Sequence, residues 1–336
     1  MRLPCWSPDG MELAASSGDI MSNDTNVRLW DKAGALMATL TGHTRPVTSL
    51  AWRPNGRTLV SGSRDNTVRF WDPNNLSSVT QIALPYPVYS LAWSPNGETL
   101  AIGMISFQPS SSSKDTPLLP LPGIVELRHA DGTLLTTLAT QHTGGKFLNL
   151  AWSPDGTLIA AGAMDFQIWR ADGSPIATFR PGGTPAWGMG WSPDGRTVAT
   201  GDENGVVSLY SATGTLLGYS AGNGSITTLQ WSPGGDSIAV TSNAGARLVH
   251  VADPSTYPEV VYTRAAVSAA WSADGQSLII GASDRTIRVW SVTEQTLFPV
   301  DGCAGVAQVV AWSLNSSAVA AGIENNVICL WTDHVA

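Results

Sequence analysis

The chain has 336 residues, of which 13% are charged, with 34 glycines, 21 prolines and a formal net charge of −8. So many turn formers and so little charge exclude a coiled coil or helical bundle and suit a turn-rich β protein. The acidic balance, with 18 Lys and Arg and no long basic run, argues against nucleic acid or an anionic membrane surface as partner, and no apolar stretch is long enough to predict a membrane span.

From the N-terminus, Met1 to Trp6 lacks the apolar core of a signal peptide. Trp6 opens the turn sequence Trp-Ser-Pro-Asp-Gly. Related sequences follow at Trp52, Trp93, Trp152, Trp191, Trp231, Trp271 and, decayed to Trp-Ser-Leu-Asn-Ser, at Trp312, with spacings of 46, 41, 59, 39, 40, 40 and 41 residues. A period near 40 that fills the chain predicts a repeat architecture.

Residues 47–72 show one unit. Val47–Trp52 is an apolar, β-branched run, Pro54-Asn55-Gly56 a turn, Leu59–Ser63 a second run, Arg64-Asp65-Asn66 a polar break and Thr67–Trp71 a third run. A further run precedes the next tryptophan strand, as at Ala35–Leu40, Thr133–Leu138, Pro175–Phe179 and Gly214–Leu217. Gaps this short suit antiparallel hairpins, and no segment sustains helical periodicity. Each period therefore predicts four short strands, and stacking such sheets around an axis buries faces that one sheet leaves open.

The expected fold is all-β: an eight-bladed β-propeller forming a single domain over residues 1–336, with blades starting near residues 2, 47, 88, 147, 186, 226, 266 and 306. The outer strand can be drawn only seven times, so the last blade is expected to lack its outer closing strand. Either that blade keeps three strands and the ring closes by side-chain packing, or upstream residues of a longer parent chain supply the strand. The longest spacing reflects a Ser- and Pro-rich insertion at residues 105–122, expected to be a loop between the second and third strands of blade 3. It reads as a tolerated surface insertion or as a flap over the binding face. Ser17–Asn26 enlarges the equivalent loop of blade 1.

Residues 42–72, from Gly-His-Thr-Arg-Pro-Val-Thr-Ser-Leu-Ala-Trp to Asp-Asn-Thr-Val-Arg-Phe-Trp-Asp, resemble a complete WD40 repeat. Val27–Asp31 and Ile287–Ser291 repeat its third-strand signature, while Ile168-Trp169, Leu330-Trp331 and Leu209-Tyr210 keep parts of it. The resemblance is to bacterial WD40 repeat arrays and covers the chain apart from the insertion. It implies that His43, Ser61 (or Ser63), Asp65 and Trp71 form the buried hydrogen-bond tetrad of the family, a structural element. His142 is its expected counterpart in blade 4, and Asp284 with Trp290 a remnant without histidine in blade 7. The resemblance also implies that the residue four before each inner tryptophan lines the central mouth: Thr48, Tyr89, Leu148, Trp187, Thr227, Val267 and Gln308.

Catalytic chemistry is not expected. Gly218-Tyr-Ser220-Ala-Gly222 matches the hydrolase nucleophile elbow, but it joins an outer to an inner strand with no helix after it. The histidines, His43, His129, His142, His250 and His334, stand in no metal-ligand spacing, and Gly144-Gly145-Lys146 lacks the leading glycine of a phosphate loop. The Asp-Gly and Asn-Gly pairs after the tryptophans read as turn residues. Neither a metal nor a cofactor is expected. The cysteines, Cys5, Cys303 and Cys329, form no C-x-x-C pattern; their low, odd number argues for a reducing, cytoplasmic setting and against a disulfide scaffold.

The expected function is a non-catalytic scaffold for a protein or peptide ligand, as the sensor or scaffold part of a larger signalling protein. Its binding face is expected at Trp187, Tyr89, Tyr86, Arg64, Lys146, Phe166, Arg180, Arg264 and Arg285, with Glu203 and Glu324 adding opposite charge. Tyr, Trp and Arg are the side chains enriched at interaction hot spots. The alternatives are a propeller domain associated with an enzyme and a structural module that self-associates through the outer edge of its last blade.

Overall fold

The computed structural model describes residues 2–16, 24–75, 79–105, 123–139, 149–162, 165–181, 184, 186–255, 259–303, 305–313, 318–323 and 327–331. Within them each strand pairs antiparallel with its neighbours in the chain, giving seven four-stranded sheets and one three-stranded sheet. Blade 1 runs Arg2–Trp6, Glu12–Ser16, Val27–Asp31 and Leu36–Leu40, and blade 2 runs Val47–Trp52, Leu59–Ser63, Thr67–Trp71 and Val79–Ala83. The inner strands of blades 3 to 8 are Val88–Trp93, Asn149–Trp152, Ala186–Trp191, Ile226–Trp231, Ala266–Trp271 and Ala307–Trp312. Each inner strand packs on the next, and the last packs on the first, so the eight sheets form a closed ring. This is the eight-bladed all-β propeller that the repeat predicts.

The turn after each tryptophan explains why the motif recurs. Ser7 Oγ donates to Asp9 Oδ1 at 2.6 Å and accepts the Glu12 N–H at 2.9 Å. Ser153 with Asp155, Ser192 with Asp194 and Ser272 with Asp274 repeat the serine–aspartate bond. The serine hydroxyl, helped by a backbone N–H, holds each of these carboxylates below its ordinary range. They are turn residues, as their sequence context predicts, and the turn cradles them one by one.

The tryptophans do more than fill space. Nε1–H of Trp52 donates to Cys5 O at 3.0 Å, of Trp152 to Ala92 O at 3.1 Å, of Trp191 to Ala151 O at 3.2 Å and of Trp231 to Gly190 O at 3.0 Å. Trp271 does the same with Gln230 O at 3.3 Å. In each case the acceptor is the residue just before the inner tryptophan of the preceding blade. The indole is thus a latch that sets the height of one blade against the next. Three inner tryptophans are unlatched: the buried Nε1 atoms of Trp6, Trp93 and Trp312 have no partner. Trp93 instead lies under the Arg53 guanidinium at 5.4 Å.

Blade 8 differs from the rest. Ala307–Trp312, Val319–Ile323 and Val327–Trp331 are its three strands among the described residues. Its seam with blade 1 is filled by Trp6 and Leu13 against Ala318 and Ala320. Two of the three cysteines are joined: Cys303, in the loop ahead of the inner strand, is bonded to Cys329 on the third strand, with Cα atoms 6.2 Å apart. The count of three excludes a disulfide framework but does not leave three free thiols, because two of them occupy facing positions of one blade. The insertion over 106–122, His142, Lys146, Leu148 and Glu324 fall outside the described residues.

Candidate partner-binding site

One face of the ring carries the loops that lead from each outer strand into the next inner strand, together with the loops between second and third strands. On this face every inner strand whose start is described carries one extra residue. Val47 pairs with Ser63 and Ser49 with Gly62, leaving Thr48 out of the ladder. The same bulge sets out Tyr89, Trp187, Thr227, Val267 and Gln308. A bulge re-aims its side chain and breaks the alternation of the strand. Here it turns these residues out, while the preceding Val47, Val88, Ala186, Ile226, Ala266 and Ala307 stay buried. Trp187 is 40% exposed although Ala186 beside it is 3% exposed. The mouth positions that fall among the described residues are therefore the bulged ones; Leu148 lies outside the described residues.

Close blade packing shapes the bulge. Gly62 lies opposite it, and a Cβ there would collide with Val88 Cγ1 of the next blade. Gly201 faces Ile226 and Gly281 faces Ala307 in the same way. Two bulged threonines stitch neighbouring blades: Thr48 Oγ1 donates to Val88 O at 2.6 Å and Thr227 Oγ1 to Ala266 O at 3.1 Å. Tyr89 carries a cation instead. The Arg64 guanidinium of blade 2 lies over its ring at 5.4 Å and donates to its hydroxyl at 3.3 Å.

The loops are anchored at the residue nine before each inner tryptophan, which is His43, Leu84, Gly222, Tyr262 and Cys303 in blades 2, 3, 6, 7 and 8. His43 Nδ1 is 2.9 Å from Asp65 Oδ2 and Nε2 is 2.7 Å from Ser61 Oγ, which also accepts the Trp71 indole N–H at 2.8 Å. Ser61 rather than Ser63 completes the chain; Ser63 Oγ donates to Arg45 O. Burial pushes the Asp65 carboxyl up, but His43, the Thr67 hydroxyl and the Thr44 N–H outweigh it and hold it well below the carboxylate range. In blade 7, Asp284 is not a bare remnant. The Tyr262 hydroxyl donates to it at 2.7 Å, the Thr286 hydroxyl at 2.6 Å and Arg264 at 3.2 Å. In blade 6, Gly222 leaves room for the buried Arg247 guanidinium, which donates to Ala221 O.

Sheets of four short strands, an intact His–Ser–Asp–Trp chain and a ring of eight blades together point to one repeat family. Residues 5–31, 34–72 and 260–291 match the WD domain, G-beta repeat, and residues 150–231 match the anaphase-promoting complex subunit 4 WD40 domain. The chain is a WD40-repeat propeller. Among solved structures it is similar to the C-terminal WD40 domain of Sif2, with a TM-score of 0.75 and 16% identity over 97% of this chain and 93% of that one. At that identity the likeness is one of fold. Comparison with curated proteins found no match.

This WD40 propeller sorts the expected face residues into distinct groups. Tyr89, Arg64, Trp187 and Arg285 are at the loop face with surface to offer. Arg285 takes the left-handed turn position, φ 68°, that Asn66 takes in blade 2. Arg180 and Arg264 are exposed but already paired, with Asp165 at 3.2 Å and Asp284 at 3.2 Å. Tyr86 is half-buried against the core between blades 2 and 3. Phe166 is a correction: it is fully buried and stacked on Phe179 at 5.8 Å. As the first residue of its strand it shares the inward face with Ile168, a period-two signal present in the sequence. Ser220 is buried at the end of an outer strand with no hydroxyl partner and no helix following, unlike a nucleophile elbow. No group of three metal-ligating side chains occurs among the described residues.

Proposed function

We propose that the protein is a non-catalytic interaction scaffold that meets a protein or peptide segment at the bulged ends of its inner strands. Tyr89 and Trp187 are the aromatic anchors, and Arg64 and Arg285 supply charge. One observation carries this reading: in blades 2, 3, 5, 6, 7 and 8 the inner strand bulges at its loop-face end, and the bulged residue is at least partly exposed while the residue before it stays buried. Large aromatics held this way give contact area at low entropic cost. A sensor or scaffold part of a bacterial, cytoplasmic signalling protein is the setting this function suits.

The test is capture of the partner from the native source, followed by calorimetric titration of the identified segment. Trp187→Ala and Tyr89→Ala are expected to weaken binding at least tenfold while moving the melting midpoint by no more than about 2 °C. Unchanged affinity in both variants, or loss of the fold in both, would place the site elsewhere. A self-associating module is favoured by one observation, the third strand Val327–Trp331 without an outer partner among the described residues. Light scattering across a concentration series separates the two, since a strict monomer leaves the scaffold reading standing.

A further inference from the structure

Blade 8 lacks several of the devices that secure the others. It has three strands among the described residues. The indole latches on either side of it are open, since Nε1 of both Trp312 and Trp6 lacks a partner. Its third strand Val327–Trp331 is half-buried at best.

Against this stands one bond found nowhere else in the ring. Cys303 occupies the loop position that His43 occupies in blade 2, nine residues before the inner tryptophan. Cys329 occupies the position of Arg69, two before the tryptophan that ends the third strand. In blade 2 these positions also hold loop to strand: Arg69 donates to Gly42 O at 2.9 Å, and His43 leads the tetrad. In blade 8 a disulfide does that work, closing 26 residues of chain. Both cysteines are half-buried, so the bridge lies within reach of an attacking thiolate. The same loop and strand are also joined by Trp331 Nε1–H donating to Asp301 O at 2.8 Å.

We propose that the Cys303–Cys329 bridge is a reducible clasp that governs how firmly blade 8 closes the ring. Opening proceeds by thiol–disulfide exchange with a dithiol reductant. A thiolate of the reductant attacks one sulfur and releases the other cysteine, and the second reductant thiol then displaces the first. In sum the bridge gains two electrons and two protons to become two thiols, and the dithiol becomes a disulfide. Once open, blade 8 is held by apolar packing of Val310, Trp312, Val319 and Ala321 against blade 7, by the Val310 N–H donating to Ser268 Oγ at 3.2 Å and by the Trp331 bond. Cys5 stands apart: it lies in the inner strand of blade 1, and burial pushes its thiol up to about 12. The proposal rests on the fold alone and does not depend on the partner at the mouth.

The test is amide hydrogen exchange on the full chain, air-oxidised and dithiothreitol-reduced, with thiols counted by alkylation under denaturing conditions and intact mass. One alkylated cysteine is expected before reduction and three after. Exchange over residues 327–331 should quicken at least tenfold on reduction, that over 67–71 should not change, and the melting midpoint should fall by about 5 °C. Cys329→Ser should match the reduced wild type with or without reductant; if it fails to fold, the wild-type comparison decides alone. Three alkylated cysteines in the air-oxidised protein, or equal exchange over 327–331 in both states, overturns the proposal.

Discussion

In blade 2 the loop ahead of the inner strand is tied to its sheet by His43, Asp65, Ser61 and Trp71; in blade 8 the equivalent loop is tied by one sulfur–sulfur bond. The contrast shows what a degenerate repeat must keep. A buried polar chain works only when every member is present, because each missing partner strands another group away from water. A covalent bond needs only two residues. Blade 7 lies between the two: Tyr262 replaces the histidine, reaches Asp284 with its hydroxyl and leaves that carboxylate near the rim, where Arg264 and Thr286 complete its partners. Loop anchoring is thus achieved by a different chemistry in each of blades 2, 7 and 8.

The largest expected effect tests the all-or-none character of the tetrad. Asp65→Ala removes the acceptor of His43, Thr44 and Thr67 together and is expected to cost about 3 kcal/mol in urea unfolding. A loss below about 1 kcal/mol would mean that blade 2 relies on packing rather than on its tetrad. Acid titration sharpens the same point. The Asp65 carboxyl is depressed in the folded chain, so the unfolded chain takes up the proton first. Its contribution to stability is complete above the ordinary carboxylate range and drains away as pH falls below about 4. Asp65→Asn should flatten that acid limb; an unchanged limb assigns the sensitivity to other carboxylates. The smallest effect compares latches. Trp52→Phe loses the bond to Cys5 O and should cost about 1 kcal/mol beyond the change in packing. Trp312→Phe removes an N–H that has no partner and should cost less, or even stabilise. Equal costs in the two variants would show that the latch contributes nothing.

Most of the architecture was legible from the sequence because the repeat states it eight times. Turn chemistry, period and third-strand signatures agree, so local errors at strand ends do not alter the fold. The site was legible only in part. Tyr89 and Trp187 were found through the family pattern, whereas the bulge that exposes them depends on register against the second strand and on glycines such as Gly62 that admit the next blade. A single strand read alone carries neither fact. Phe166 stands beside a loop in the sequence, yet its strand is buried on both faces, which its neighbours Ile168 and Trp169 signal only in part. The number of cysteines carries no sign of the bond between Cys303 and Cys329; their places on the repeat do, since Gly302-Cys303 stands where Gly42-His43 stands. Tyr262 occupies the same place in blade 7.

The bulge has a consequence for how such a protein changes over time. Thr, Tyr, Trp, Thr, Val and Gln stand at the bulged positions of blades 2, 3, 5, 6, 7 and 8. The bulge lifts these side chains out of the sheet's alternation, although Thr48 and Thr227 still bond the next blade and Tyr89 still packs beside the core. Under the proposed scaffold reading, the binding face can therefore change letter by letter at the bulged positions that bond no other blade, while the buried residue before each of them keeps the ring together.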